Sequence, residues 1–125
     1  MGETLRPHCR LEAWKESMVL VKVVYLASQK FPREELYGLT SQMRRAAVSV
    51  PSNVAEGAAR SSQKEFAQFL SIARGSLSEL ETQLLIAADL GYLEQSHDVF
   101  PLLDRVSRLI TGLHKKVHNE RVAAP

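Results

Sequence analysis

The chain has 125 residues, 45% of them hydrophobic and 24% charged, with a formal net charge of +2. Those proportions describe one globular domain with a real core, and they exclude wholesale disorder and a strongly basic nucleic-acid tail. A single cysteine, Cys9, excludes an intramolecular disulfide and a cysteine-rich zinc site.

Four segments carry the helical hydrophobic period; Val19, Val21, Val23 and Val24 could suggest a strand, but their flanks, Glu12 to Ser17 and Ala27 to Lys30, favour helix. In the first, Leu11, Trp14, Met18, Val21, Tyr25 and Ser28 step by threes and fours, which predicts a helix over 11–30 stopped by Phe31-Pro32. The second runs from Thr40, a candidate N-cap, to Ala59, with Met43, Ala47, Val50 and Val54 as its apolar stripe. Pro51 lies well inside it and either kinks the helix or breaks it.

The third segment opens on Ser62-Gln63-Lys64-Glu65, which has capping-box spacing. Phe66, Leu70, Ala73, Leu77, Leu80, Leu84 and Ala87 then line one face, and Gly91 stands where a C-terminal cap is expected. The fourth begins between Ser96 and Val99, with Pro101 near its first turn. Val99, Leu103, Val106, Ile110, Leu113 and Val117 form its stripe, and it fades from Asn119 onward. Short connections make consecutive helices antiparallel neighbours. The expected architecture is all-α: an up-down-up-down four-helix bundle over 11–118, with tails at 1–10 and 119–125.

Two strings in this pattern are distinctive. Arg44-Arg45-Ala46-Ala47-Val48-Ser49-Val50-Pro51-Ser52-Asn53-Val54-Ala55-Glu56-Gly57 lies on the second helix. Phe69-Leu70-Ser71-Ile72-Ala73-Arg74-Gly75-Ser76-Leu77-Ser78-Glu79-Leu80-Glu81-Thr82 lies on the third. Together they resemble the signature of the four-helix-bundle family of 23S rRNA intervening-sequence proteins, over roughly residues 11 to 118. The resemblance implies a left-handed bundle, a bacterial source and ring-shaped homopentamers. It implies no settled function: some members are encoded inside large-subunit rRNA genes, and a relative in diversity-generating retroelements accompanies a reverse transcriptase and binds nucleic acid.

Polar residues also fall on stripes. Ser49, Asn53, Glu56 and Arg60 share one face of the second helix, and Arg74, Ser78 and Glu81 one face of the third. They form either a site between helices or, as the favoured reading, a structural network of hydrogen bonds and ion pairs that fixes register. No nucleophile–base pair accompanies them, so no catalytic residue is assigned and an enzyme is not expected. His114 and His118 stand four apart, but Lys115 and Lys116 lie between them and no third ligand is evident, so neither a metal nor another cofactor is expected. Isolated Gly75 and Gly112 are expected to mark close approaches of another helix, and Gly57 to loosen the end of the second.

The first helix carries Val19, Leu20, Val23, Val24 and Leu26 outside its main stripe, and a helix apolar over most of its circumference needs cover on more than one side. Self-association is therefore expected. Antiparallel topology gathers Arg60, Lys64, Lys115, Lys116 and Arg121 at one pole with Arg6 and Arg10, partly offset by Glu3, Glu12, Glu65 and Glu120. Glu34, Glu35, Asp89, Glu94 and Asp98 fall at the other, diluted by Lys30, Arg33, Arg44 and Arg45. Lysines there either complement the helix dipole or bind a polyanion. The leading expectation is a non-enzymatic oligomeric adaptor that binds RNA or DNA through that pole; the alternative is a protein–protein assembly module whose partner is another bacterial protein. Residues 1–10 hold no signal-peptide-like apolar run, and the longest apolar stretch, Met18 to Ala27, is about half the roughly 20 residues that span a bilayer. A cytoplasmic protein with no membrane partner is expected.

Overall fold

The structure is a computed structural model and describes residues 6–123. Four helices account for most of it: α1 (Glu12–Ser28), α2 (Leu39–Ala58), α3 (Gln63–Asp89) and α4 (Val99–Ala123), with short 3-10 turns at Pro7–Arg10 and Arg33–Glu35. Each helix packs on the next and α4 returns to α1, closing a square with α1/α2 and α3/α4 on opposite sides. Single contacts show every neighbour to be antiparallel. Arg44 near the start of α2 reaches Ser28 at the end of α1, Gly57 near the end of α2 faces Phe69 in early α3, and Ser71 in early α3 meets His114 in late α4. Leu26 and Ala27 at the end of α1 line one cleft with His97 and Asp98 just ahead of α4, and Arg105, further along α4, bonds Glu16, earlier in α1, at 2.8 Å. This is the expected up-down-up-down bundle.

The core follows the stripes on three helices. Met43, Ala47, Val50 and Val54 of α2, Leu70 to Ala87 of the α3 stripe, and Val99, Leu103, Val106, Ile110 and Val117 of α4 are all buried. In α1 the buried face is a different one. Ala13, Ser17, Leu20, Val24 and Ser28 point inward; of the expected stripe Ser28 is buried, Leu11, Trp14 and Val21 pack part-buried on the core, and Met18 and Tyr25 are exposed. The two serines enter the core because each satisfies its hydroxyl on its own helix: Ser17 Oγ donates to the Ala13 carbonyl, and Ser28 Oγ donates to the Tyr25 carbonyl while accepting from Arg44 Nε.

The helix ends explain the boundaries. Ser62 Oγ accepts from the Glu65 amide and donates to the Glu65 carboxylate, both at 3.1 Å. At the far end Gly91 adopts φ +80°, and the amides of Gly91 and Tyr92 donate to the carbonyls of Ala88 and Ala87, a complete Schellman closure. Helix α2 starts after Gly38, one residue before the expected Thr40 cap, and runs unbroken through the buried Pro51. Helix α4 starts at Val99, whose amide donates to Nδ1 of His97, and continues to Ala123 instead of fading at Asn119. At the other terminus Pro7–Arg10 forms an ordered turn against α1 and α2, with the His8 ring edge-on to Trp14 at 5.1 Å, where a tail was expected.

The glycine expectations reverse. A Cβ on Gly57 would lie 2.7 Å from Phe69 Cβ and 2.9 Å from a ring carbon of Phe66, so this is the close helix–helix approach. Gly75 and Gly112 face open space.

Candidate nucleic-acid interface

The topology delivers the basic pole from three separate segments. Arg60 follows the end of α2, Lys64 sits in the first turn of α3, and Lys115, Lys116 and Arg121 ride the last turns of α4; all five are exposed. The short Ala59–Ser62 link and the Ser71–His114 contact hold these segments side by side. Their circumstances differ. Arg60 is pinned: Nη2 lies 3.2 Å from Glu56 Oε2 and its guanidinium sits 4.8 Å above the Phe69 ring. Lys64, Lys115, Lys116 and Arg121 pair with no carboxylate among the described residues. Higher on α4 the opposite holds, since Arg105 pairs with Glu16 and Arg108 with Asp104. Three of the acids near the pole are engaged, Glu12 with Lys15, Glu56 with Arg60 and Glu65 with Ser62, whereas Glu120 stands exposed on α4 between Lys116 and Arg121 and offsets part of their charge.

At the opposite pole, Arg44 is taken up by the fold, donating to Ser28 and lying 4.7 Å over the Tyr25 ring. Tyr92 donates to Glu35 at 3.0 Å. That hydrogen bond first, then burial and the charges of Glu35 and Glu34, raise the Tyr92 pKa above its ordinary 10.0.

The two polar stripes do not meet. Ser49 Oγ lies 2.8 Å from Ser76 Oγ, and Asn53 Nδ2 donates to both the Ser49 carbonyl and its Oγ. This half-buried cluster joins α2 to α3 through Ser76, which the stripes did not include. The antiparallel register that seats Gly57 on Phe69 also sets Ser49 opposite Ser76. Glu56 reaches only Arg60, on the surface. Arg74, Ser78 and Glu81 are exposed and turn the other way, into a groove of about 440 Å³ between α3 and α4 that also takes in Ser71, Gly75, Ser107, Thr111 and Asp104. The expected continuous network across α2 and α3 is therefore two separate features, because the face of α3 carrying Arg74, Ser78 and Glu81 belongs to the α4 side.

His114 borders that groove. Its Nε2 is 3.1 Å from Ser71 Oγ, and its ring lies parallel to that of His118 with centroids 6.4 Å apart. Burial, then the Arg74 guanidinium and His118, lower its pKa from the ordinary 6.5, so at neutral pH it carries no charge. No cluster of three or more metal-ligating side chains occurs among the described residues.

Among the described residues no helix is long and apolar enough to cross a membrane. No curated protein matches the chain. The family model for the 23S rRNA-intervening sequence protein matches residues 9–112, ending just before the segment that carries Lys115, Lys116 and Arg121. That match spans most of the sequence, both signature strings, the first three helices and the first half of α4, and the chain belongs to the 23S rRNA-intervening sequence protein family.

Proposed function

We propose that this protein is a non-enzymatic, oligomeric module that binds nucleic acid, RNA foremost, through its basic pole. The observation that carries the reading is the contrast along α4: Arg105 and Arg108 are neutralised by carboxylates, whereas Lys115, Lys116 and Arg121 are left exposed beside Lys64. Exposed cations converging from distant segments suit a phosphate backbone, and the pole offers few aromatic faces beyond Phe69, which Arg60 already covers. Binding on this account is electrostatic and weakly sequence-selective.

Self-association rests on a second observation. Met18 and Val19 of α1 are each 46% exposed, and Met18 lines an apolar groove with Trp14, Val21, Val48, Pro51 and Ala55 between α1 and α2. A second copy of the chain is the proposed cover, and a ring, with five subunits as the number the family resemblance implies, would repeat the basic pole around one rim and raise avidity. If the groove instead takes a different protein, the chain is an assembly module without a nucleic-acid role.

The test is charge reversal. Lys115→Glu/Lys116→Glu should abolish binding of a labelled single-stranded RNA at low salt while circular dichroism and light scattering stay unchanged, because both side chains are exposed. A parent protein that binds neither RNA nor DNA, or a double variant that binds as well as the parent, removes the nucleic-acid reading in favour of the assembly module.

A further inference from the structure

We propose that the groove between α3 and α4 is a phosphate track: it receives the sugar–phosphate backbone of a single-stranded nucleic acid leaving the basic pole and ends it at Arg74. This rests on the nucleic-acid reading above and adds the path of the strand. Helical spacing aligns the groove with the pole. Lys64, Ser71 and Ser78 recur at heptad steps along the α3 rim, and His118 and Thr111 do so along the facing rim of α4. The Ser71–His114 contact of 3.1 Å ties the two rims near the pole end. From Lys64 to Arg74 the axial distance is roughly 15 Å.

The chemistry along that path is graded. Near the pole stand lysines, then hydroxyls and the Arg74 guanidinium, and beyond them the carboxylates of Glu81 and Asp104. Arg74 pairs with no carboxylate among the described residues although both acids line the same groove; Asp104 turns instead to Arg108 at 3.2 Å. A guanidinium flanked by serine and threonine hydroxyls presents a set of donors suited to a phosphodiester, and the carboxylates past it repel a further one. Gly75 lines the same groove with nothing within 4 Å of where its Cβ would be, so a strand can approach the helix backbone there. An exposed glycine inside a helix is otherwise a poorer helix former than alanine. Among the described residues no Phe, Tyr or Trp lines the groove, so recognition rests chiefly on the backbone.

The experiment is a salt series of fluorescence anisotropy with a labelled single-stranded RNA on the full chain, comparing the parent with Arg74→Ala and Arg45→Ala. Arg45 is an exposed cation lining the cleft between α2 and α3 and serves as the equal-charge control. Loss of one phosphate contact should make the slope of log K against log salt shallower by about 0.7 and weaken low-salt binding about fivefold for Arg74→Ala. Arg45→Ala should bind like the parent. Parental affinity and slope in Arg74→Ala, or an equal loss in Arg45→Ala, overturns the track. If Lys115→Glu/Lys116→Glu abolishes binding while Arg74→Ala leaves it intact, the basic pole stands and the track falls. If the parent binds no nucleic acid, both fall.

Discussion

The two grooves on opposite sides of the bundle each lie between a pair of antiparallel helices, α1 with α2 and α3 with α4, and have opposite chemistry. Between α1 and α2 the walls are Trp14, Met18, Val21, Val48, Pro51 and Ala55; between α3 and α4 they are serines, a threonine, an arginine and two carboxylates over a floor of Leu77. Each groove is an ordinary by-product of packing round helices in a square. What differs is the rim, and rim residues contribute little to folding, so their composition reports what lies outside the monomer. An apolar rim suits another protein surface, and a hydroxyl-and-charge rim suits a hydrated polyanion.

That contrast can be broken most sharply at the apolar rim. Met18→Glu should convert the assembly to a species near 14 kDa in light scattering without loss of helicity, whereas Ser78→Glu on the polar rim should leave the mass unchanged. A parent that already scatters as a monomer at micromolar concentration contradicts the assignment of the apolar groove. Next in size is the difference between floor and rim on the polar side. Leu77 is 4% exposed, so Leu77→Ala should cost about 2–5 kcal/mol in chemical denaturation, while Ser78→Ala should stay within about 0.5 kcal/mol.

The glycines sharpen the comparison further. Gly57→Ala must push against Phe66 and Phe69 and should destabilise by about 1–3 kcal/mol. Gly112→Ala, in open space, should raise stability by roughly 1 kcal/mol through helix propensity. Loss of stability in Gly112→Ala would mean that a neighbouring chain approaches α4 there. Asn53→Ala should cost about 1 kcal/mol, because its two hydrogen bonds to Ser49 are half-buried, and Glu56→Ala less, because its ion pair is on the surface.

Which of these features the residues announced depends on how many faces a helix offers. On α3 everything agreed: the Ser62–Glu65 box, one heptad stripe and Gly91 at its left-handed cap define start, face and stop. On α1 apolar side chains point in most directions, so periodicity does not choose among them. The structure buried the stripe containing Ser17 and Ser28, whose hydroxyls bond their own backbone, and left Met18 and Tyr25 outside. The polar stripes of α2 and α3 follow from helical spacing, but spacing does not say which neighbour a side chain meets. Ser49 found Ser76, and Arg74 to Glu81 turned to α4, because the register between helices decides pairing. The basic pole was legible because topology alone assembles it; the pairing of Arg60 with Glu56 and Phe69 was not.

The smallest expected effect is a pH dependence near the polar groove. The folded-state pKa of His114 lies below its unfolded value of 6.5, so the unfolded chain binds the proton first. Stability is thus unaffected by this group above that pH, falls as pH drops below about 6.5, and stops falling below the lowered folded pKa. Replacing His114 by glutamine should flatten that part of the stability curve, and an unchanged curve would show that the ring titrates as in water.

The central claim, that the exposed cations at the pole bind phosphates, is tested most directly by the salt dependence of the unaltered protein. With four to six phosphates contacted, log K against log salt for a single-stranded RNA should fall with a slope of about −3 to −4. A slope near zero, or no measurable binding at low salt, would contradict it.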